Sequence, residues 1–153
     1  MNNQEAGNMK IYIAGIMQGS RKDQDIQGQD YRQLIREAVK IHHSDAEIVD
    51  PFSLFPDSVE YDDRRAKQVL FEVGAEAAAA DIVIAYLPKA SMGTALEIIR
   101  AYDNGKTIIS ISPMEKNWLI RAVSAKIFPS LGEFCTWARQ THLVELIDAP
   151  TRN

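Results

Sequence analysis

The stretch Asp81–Met114, DIVIAYLPKASMGTALEIIRAYDNGKTIISISPM, decides the fold. Ile82–Leu87 and Thr107–Ser112 are short apolar runs rich in β-branched residues, the pattern of strands buried on both faces. Between them Thr94–Asp103 reads as a helix, closed by the stop signal Asn104-Gly105. Two buried strands joined by a helix make a parallel unit. At its centre the small-residue turn Ser91-Met92-Gly93-Thr94 opens the helix, which carries one acid, Glu97, among apolar neighbours.

The flanks repeat this alternation. Lys10–Gly15, KIYIAG, is a first buried strand. From Gln29 to about His42, residues Tyr31, Leu34, Ile35, Ala38 and Val39 fall at helical spacing. Glu47–Phe52 predicts a second strand ending at Pro51, followed by a loop over Ser53–Tyr61. Asp62 or Asp63 can cap a helix reaching about Ala80. Its alanine run, Ala77–Ala80, permits close approach of a neighbour, in the core or at a subunit interface. Asn117 to about Lys126 predicts a short helix, and Ile127-Phe128 a short fifth strand stopped by Pro129. Ser130, with Glu133 three residues on, forms a capping box for a last helix to about Leu146. The expected fold is α/β: a flavodoxin-like or Rossmann-like three-layer sandwich with a parallel sheet of about five strands. Such sheets bind ligands at the carboxyl ends of their strands, which draws attention to Gly15 and the loop after it.

At 153 residues the chain suits one domain, expected over residues 9–150 after a disordered lead-in, 1–8. Net charge is −4, so no global field favours a nucleic-acid polymer or a membrane surface, and an anionic ligand needs local donors. No apolar run has the length of a membrane span, and no signal peptide is visible. One cysteine, Cys135, rules out an internal disulfide. A cytoplasmic location is expected.

Several common motifs are missing. There is no GxGxxG after the first strand, no GxxxxGK[ST], no CxxC and no HExxH. His42-His43 reads as a solvated helix C-cap, and His142 has no evident partner. No metal site is expected. Carboxylates remain. Glu97 fits a capping box with Thr94 as N-cap, worth about 1 kcal/mol. It equally fits a reactive carboxylate at the ligand edge, its pKa lowered by the helix dipole. An ionised carboxylate there suits attack on, or stabilisation of, an oxocarbenium-like sugar carbon. Tyr12, mid-strand in an otherwise aliphatic run, needs a partner for its hydroxyl. That partner is backbone, or Glu97 on an adjacent element.

These residues together resemble the nucleoside 2-deoxyribosyltransferase superfamily, nearest its hydrolytic branch, the 2'-deoxynucleoside 5'-phosphate N-hydrolases. The resemblance runs from Lys10 to about Leu131. It is sharpest in Asp81-Ile82-Val83, Ser91-Met92-Gly93-Thr94, Glu97, Ala101 and Gly105-Lys106, with Glu97 sixteen residues after the strand-opening Asp81. It implies that Glu97 is a nucleophile toward the anomeric carbon and that Tyr12 positions it. It implies a substrate loop over Gly15, Ile16, Gln18, Gly19, Ser20 and Arg21 that wraps a 5'-phosphate. Gly93 would bind substrate beside Glu97. Asn117 matches an asparagine that the transferases lend from a neighbouring subunit, which implies a homodimer or higher homo-oligomer with shared active sites. Ser91 stands where the transferases carry Asp and the hydrolases Ser; a hydroxyl can donate to a phosphate that a carboxylate would repel.

Two positions depart from the pattern. Gln18 replaces an Arg of the phosphate loop, and Val73 replaces an Asp that contacts and helps protonate the base. Glu72 and Glu76 are the candidate substitutes for that acid. The resemblance implies an N-glycosidase of nucleotide metabolism or salvage. It would cleave a nucleoside or deoxynucleoside 5'-monophosphate to free base and sugar 5-phosphate, with no cofactor. The alternatives are a base-exchanging deoxyribosyltransferase, a catalytically silent nucleotide-binding module, and an interaction domain in which Glu97 only caps a helix. The PGGxGT run of the cytokinin-type phosphoribohydrolases is missing. NAD-cleaving domains use a glutamate on a related sheet, which keeps NAD among the candidate substrates.

Overall fold

The structure, a computed structural model, describes residues 8–15 and 30–147. The first element is β1 (Lys10–Gly15), then α1 (Asp30–Lys40), β2 (Glu47–Val49), α2 (Pro51–Leu54) and a 3-10 turn at Ser58–Glu60. There follow α3 (Asp63–Ala79), β3 (Ile82–Tyr86), α4 (Met92–Asp103), β4 (Thr107–Ile111), α5 (Trp118–Val123), β5 (Lys126–Phe128), α6 (Leu131–Ala138) and α7 (Val144–Ile147). The five strands form one parallel sheet in the order β2-β1-β3-β4-β5. That is the flavodoxin-like order, with helices on both faces. No helix among the described residues is long and apolar enough to cross a membrane.

Strand residues alternate between two cores. Ile11, Ile13, Ile82, Ile84 and Ile109 face α1 and α6, joined by Ile35, Val39 and Phe134. Tyr12, Ala14, Val83, Ala85 and Ile108 face the other side, with Ala77 of α3, Ile98 and Ala101 of α4 and Ile120 of α5. The register Tyr12↔Val83 and Tyr12↔Val49 sets Tyr12 between two neighbouring strands on the α3–α4 face.

Local chemistry corrects several sequence expectations. The second strand stops at Val49, not Phe52, because Asp50 caps α2 by accepting from Phe52 N–H at 3.0 Å, and Pro51 suits a first helical turn. In α1 the inward face takes Arg32 rather than Leu34, which is exposed. Ser91, not Thr94, caps α4: its Oγ accepts from Thr94 N–H at 3.3 Å and Thr94 Oγ1 at 3.1 Å. Gly105 closes that helix in the left-handed region, φ 71°, with Lys106 N–H bonded back to Ala101 O at 3.0 Å. The last predicted helix ends early, at Ala138, although its Ser130 cap forms as expected. His43 is buried, not solvated: its Nε2 accepts from Leu143 N–H at 3.0 Å, and His142 packs against His42 with the rings tilted by 54°.

Candidate functional site

At the carboxyl end of the sheet a cleft of about 220 Å³ opens between α3 and the N-terminus of α4. Gly15, Ser91, Gly93, Thr94 and Glu97 form one side. Ala66, Val69, Leu70 and Val73 of α3 form an apolar wall, and Ser58 and Tyr61 close the end. The wall follows from helical geometry, since positions 66, 69, 70 and 73 share one face. Close approach matters at Gly15: a Cβ there would lie 2.1 Å from Tyr31 Oη. At Gly93 a Cβ would meet nothing within 4 Å, so its missing side chain enlarges the cleft rather than relieving a contact.

Glu97 is the sixth residue of α4, counted from Met92, and is only 4% exposed. With Ser91 as N-cap it lies beyond the position a capping box requires, so that role falls away. Its Oε2 has no hydrogen-bond partner among the described residues, and neither has Tyr12 Oη. Burial pushes the Glu97 carboxyl up to about 8; nearby Tyr12 and then the Arg32 charge pull it back only in part. The expected lowering by the helix dipole is therefore outweighed by desolvation. Tyr12 is itself raised, first by burial and then by the negative charge of Glu97, so it stays a neutral phenol. The two groups act strongly on each other, yet their alignment falls short of a formed hydrogen bond, an arrangement that commonly tightens once substrate fills a site.

Sequence-predicted residues divide into those the cleft gathers and those it does not. Glu97, Ser91, Gly93 and Gly15 line it. Tyr12 reaches Glu97 from β1, on the same face of the sheet. Ile16, Gln18, Gly19, Ser20 and Arg21 lie outside the described residues. Glu72 and Glu76 do not line the cleft. Glu72 accepts from Gln68 Nε2 at 3.0 Å along the outer face of α3. Glu76 pairs with Lys10 Nζ at 2.9 Å, at the opposite end of β1. Val73, where an acid was wanted, does line it. Asn117 is exposed and caps α5, its Oδ1 accepting from Leu119 N–H at 3.0 Å and Ile120 N–H at 3.3 Å. Among the described residues no group of three His, Cys, Asp or Glu side chains could hold a metal ion.

Sequence reasoning missed three features. Tyr61 and Ser58 come from a segment read only as loop. Tyr31 is buried against Tyr86, ring centroids 4.4 Å apart, with Oη unpartnered among the described residues. Arg32 and Asp50 form a buried ion pair at 2.5 Å. The available signal was the spacing of Arg32, Ile35 and Val39, which puts a cation on the inward face of α1.

No family model and no curated protein sequence matches the chain. Solved structures do. A 2-deoxyribosyltransferase from Bacillus psychrosaccharolyticus superposes with a TM-score of 0.64 at 18% identity, over 90% of this chain and 95% of that one. A conserved protein from Enterococcus faecalis V583 gives 0.61 at 17% identity, over 86% and 98%. At this identity the likeness establishes a shared fold across nearly the whole length of each neighbour.

Proposed function

We propose that the protein is an N-glycosidase acting on a nucleoside or deoxynucleoside 5'-monophosphate. The carrying observation is Glu97: a buried carboxyl with an unpartnered oxygen, lining a cleft at the ligand-binding edge of the sheet. The shared fold with a protein named as a 2-deoxyribosyltransferase supports glycosyl chemistry at that place.

In this reading the Glu97 carboxylate attacks C1', forming a C1'–O bond as the C1'–N bond breaks and the base leaves with the electron pair. Water then attacks C1', releases a proton and frees Glu97. The Tyr12 phenol donates to the carboxylate and holds its reacting oxygen in line. Ser91 Oγ accepts from Thr94, which leaves its own proton free for a substrate phosphate. The α3 wall and Tyr61 suit the flat face of a base. Asn117 reaches a cleft only if a homo-oligomer presents it from a second copy. Mixing Glu97→Gln and Asn117→Ala proteins should then restore activity through hybrid sites.

The test is to incubate purified protein with nucleoside and deoxynucleoside monophosphates and measure free base. Glu97→Gln should lower turnover by more than about 10³-fold. Absence of any released base from wild type, or undiminished activity in the variant, would overturn the reading. Adding a second free base separates hydrolysis from exchange, since only a transferase yields the new nucleoside.

A further inference from the structure

We propose that His43, with His42 and His142 beside it, is an acid-sensitive latch: it holds residues 141–147, the segment after α6, against the end of α1 and releases them when its ring takes up a second proton. The latch belongs to the α1–α6 side of the sheet, whereas the cleft lies on the α3–α4 side, so it does not rest on the proposed activity.

Three imidazoles meet where α1 ends. His42 and His43 stand in the turn after that helix, and the His142 ring lies 4.5 Å from the first and 5.8 Å from the second, centroid to centroid. The contacts of the first two differ in kind. His42 Nε2 meets Arg139 O at 2.8 Å; a carbonyl only accepts, so this ring donates, and a second proton leaves the bond intact. His43 Nε2 meets Leu143 N–H at 3.0 Å; a backbone N–H only donates, so this ring must accept. That fixes His43 as the neutral imidazole with its proton on Nδ1. Protonating Nε2 would set N–H against N–H and break the bond. Both residues are buried, His43 to 6% exposure and Leu143 fully, so water does not readily take over either group.

Among the described residues this bond is the one hydrogen bond that ties residues 141–147 to another element. The rest of their attachment is apolar: Leu143 sits in the core with Ile35, Val39 and Phe134, and Leu146 packs at its margin. Burial lowers the His43 pKa most, His142 and His42 lower it further, and Asp45 alone opposes them. Of the other charged groups at this joint, Lys40 donates to Ser44 O and Ala46 O, Arg139 bears on Cys135, and Glu145 is exposed. A ring freed from the latch returns to the ordinary value of about 6.5. The closed form therefore holds above that pH. Below it the open form binds a proton that the closed form refuses, and the equilibrium moves toward opening by up to about tenfold per pH unit.

The test is amide hydrogen exchange followed by NMR between about pH 7.5 and about pH 5, each rate divided by that of an unprotected amide at the same pH. Protection of Leu143 should fall below about pH 6.5, by up to about tenfold per unit, while Ile84 in β3 stays protected. In His43→Gln, whose side-chain oxygen accepts without titrating, Leu143 should keep its protection over the whole range. His142→Gln removes a charge that opposes protonation of His43, so there the fall should begin at higher pH than in wild type. Protection at Leu143 that ignores pH, a fall as large in His43→Gln as in wild type, or parallel loss at Ile84 overturns the latch. If His43→Gln does not fold, His142→Gln decides: a fall that stays in place or moves to lower pH also overturns it. The measurement needs no substrate, so the latch and the proposed activity stand or fall separately.

Discussion

The two ends of the sheet treat polar groups in opposite ways. At the amino end Lys10 N–H donates to Asp81 Oδ2 at 2.8 Å, Asp81 N–H donates to Lys10 O at 2.8 Å, and Lys10 Nζ pairs with Glu76. These groups are paired and largely reach solvent. At the carboxyl end Glu97 Oε2, Tyr12 Oη and Tyr31 Oη are buried and lack hydrogen-bond partners among the described residues. A buried polar atom left unpaired costs roughly 1–3 kcal/mol, so several in one place call for an explanation beyond folding. The amino end satisfies its polar groups, and the carboxyl end leaves them open where the proposed substrate would sit.

The largest effect that could break this contrast concerns the leaving group. Among the described residues lining the cleft Glu97 is the sole carboxylic acid, and Val73 stands where a proton donor for the base was expected. A donor at that point typically contributes about 10²–10⁴-fold. Substrates whose base departs already neutral, such as the pyridinium ring of nicotinamide mononucleotide, should therefore be cleaved at least about 10²-fold faster than cytidine or uridine monophosphate. Comparable rates across such a panel, measured by chromatography of the freed base, would show that a proton donor reaches the cleft after all.

Next comes stability against pH. The unfolded chain ionises Glu97 near the usual 4.5, while the folded protein holds the proton to about 8. Between those values the unfolded state has lost a proton that the native state retains, so this group lowers stability as pH rises, by up to about 1.4 kcal/mol per unit. His43 acts in the other sense: burial lowers its pKa, so its contribution is present above its unfolded value and is lost as pH falls. The difference between Glu97→Gln and wild type isolates the carboxyl. In urea unfolding the variant should gain on wild type steadily from pH 5 to pH 8. A constant difference over that range would place Glu97 in water, not in a dry cleft.

The sequence made much of this legible, but unevenly. β1, β3 and β4 are unmistakable because a strand buried on both faces reads as a continuous apolar run. The spacing of Asp81, Ser91, Gly93 and Glu97 pointed at the wall that the structure assembles. What stayed hidden depends on pairing at a distance. Glu72 and Glu76 looked adjacent to the site, yet Glu72 turns to Gln68 on the outer face of α3 and Glu76 sits further along the helix, where it meets Lys10. Arg32 and Asp50 are 18 residues apart and each has an ordinary surface identity when read alone. The balance of dipole against desolvation at Glu97 required knowing how much of the carboxyl is covered, which periodicity does not give.

Two substitutions at the cleft sharpen the comparison on a smaller scale. Ser91→Ala removes the N-cap of α4 and should cost about 1 kcal/mol in chemical denaturation. Gly93→Ala should do the reverse. Its new methyl group meets nothing, and alanine favours a helix over glycine by roughly 1 kcal/mol, so the protein should become more stable. The same methyl group would occupy the cleft, and binding of a nucleoside monophosphate in calorimetry should weaken. A variant that gains stability and loses affinity would mark this position as kept small for a ligand.

The smallest effect belongs at the far end. Lys10→Met removes a pair whose side chains are 23% and 44% exposed, and such pairs contribute about 0–1 kcal/mol after screening. Lys10 is nonetheless raised in pKa, first by its bond to Glu76. Thermal unfolding should shift by no more than a few degrees, and turnover should be unchanged, since Lys10 opens β1 at the amino end of the sheet and does not line the cleft. A loss of turnover without a loss of stability would mean that charge at the amino end reaches the cleft, and the division between the two ends would then be wrong.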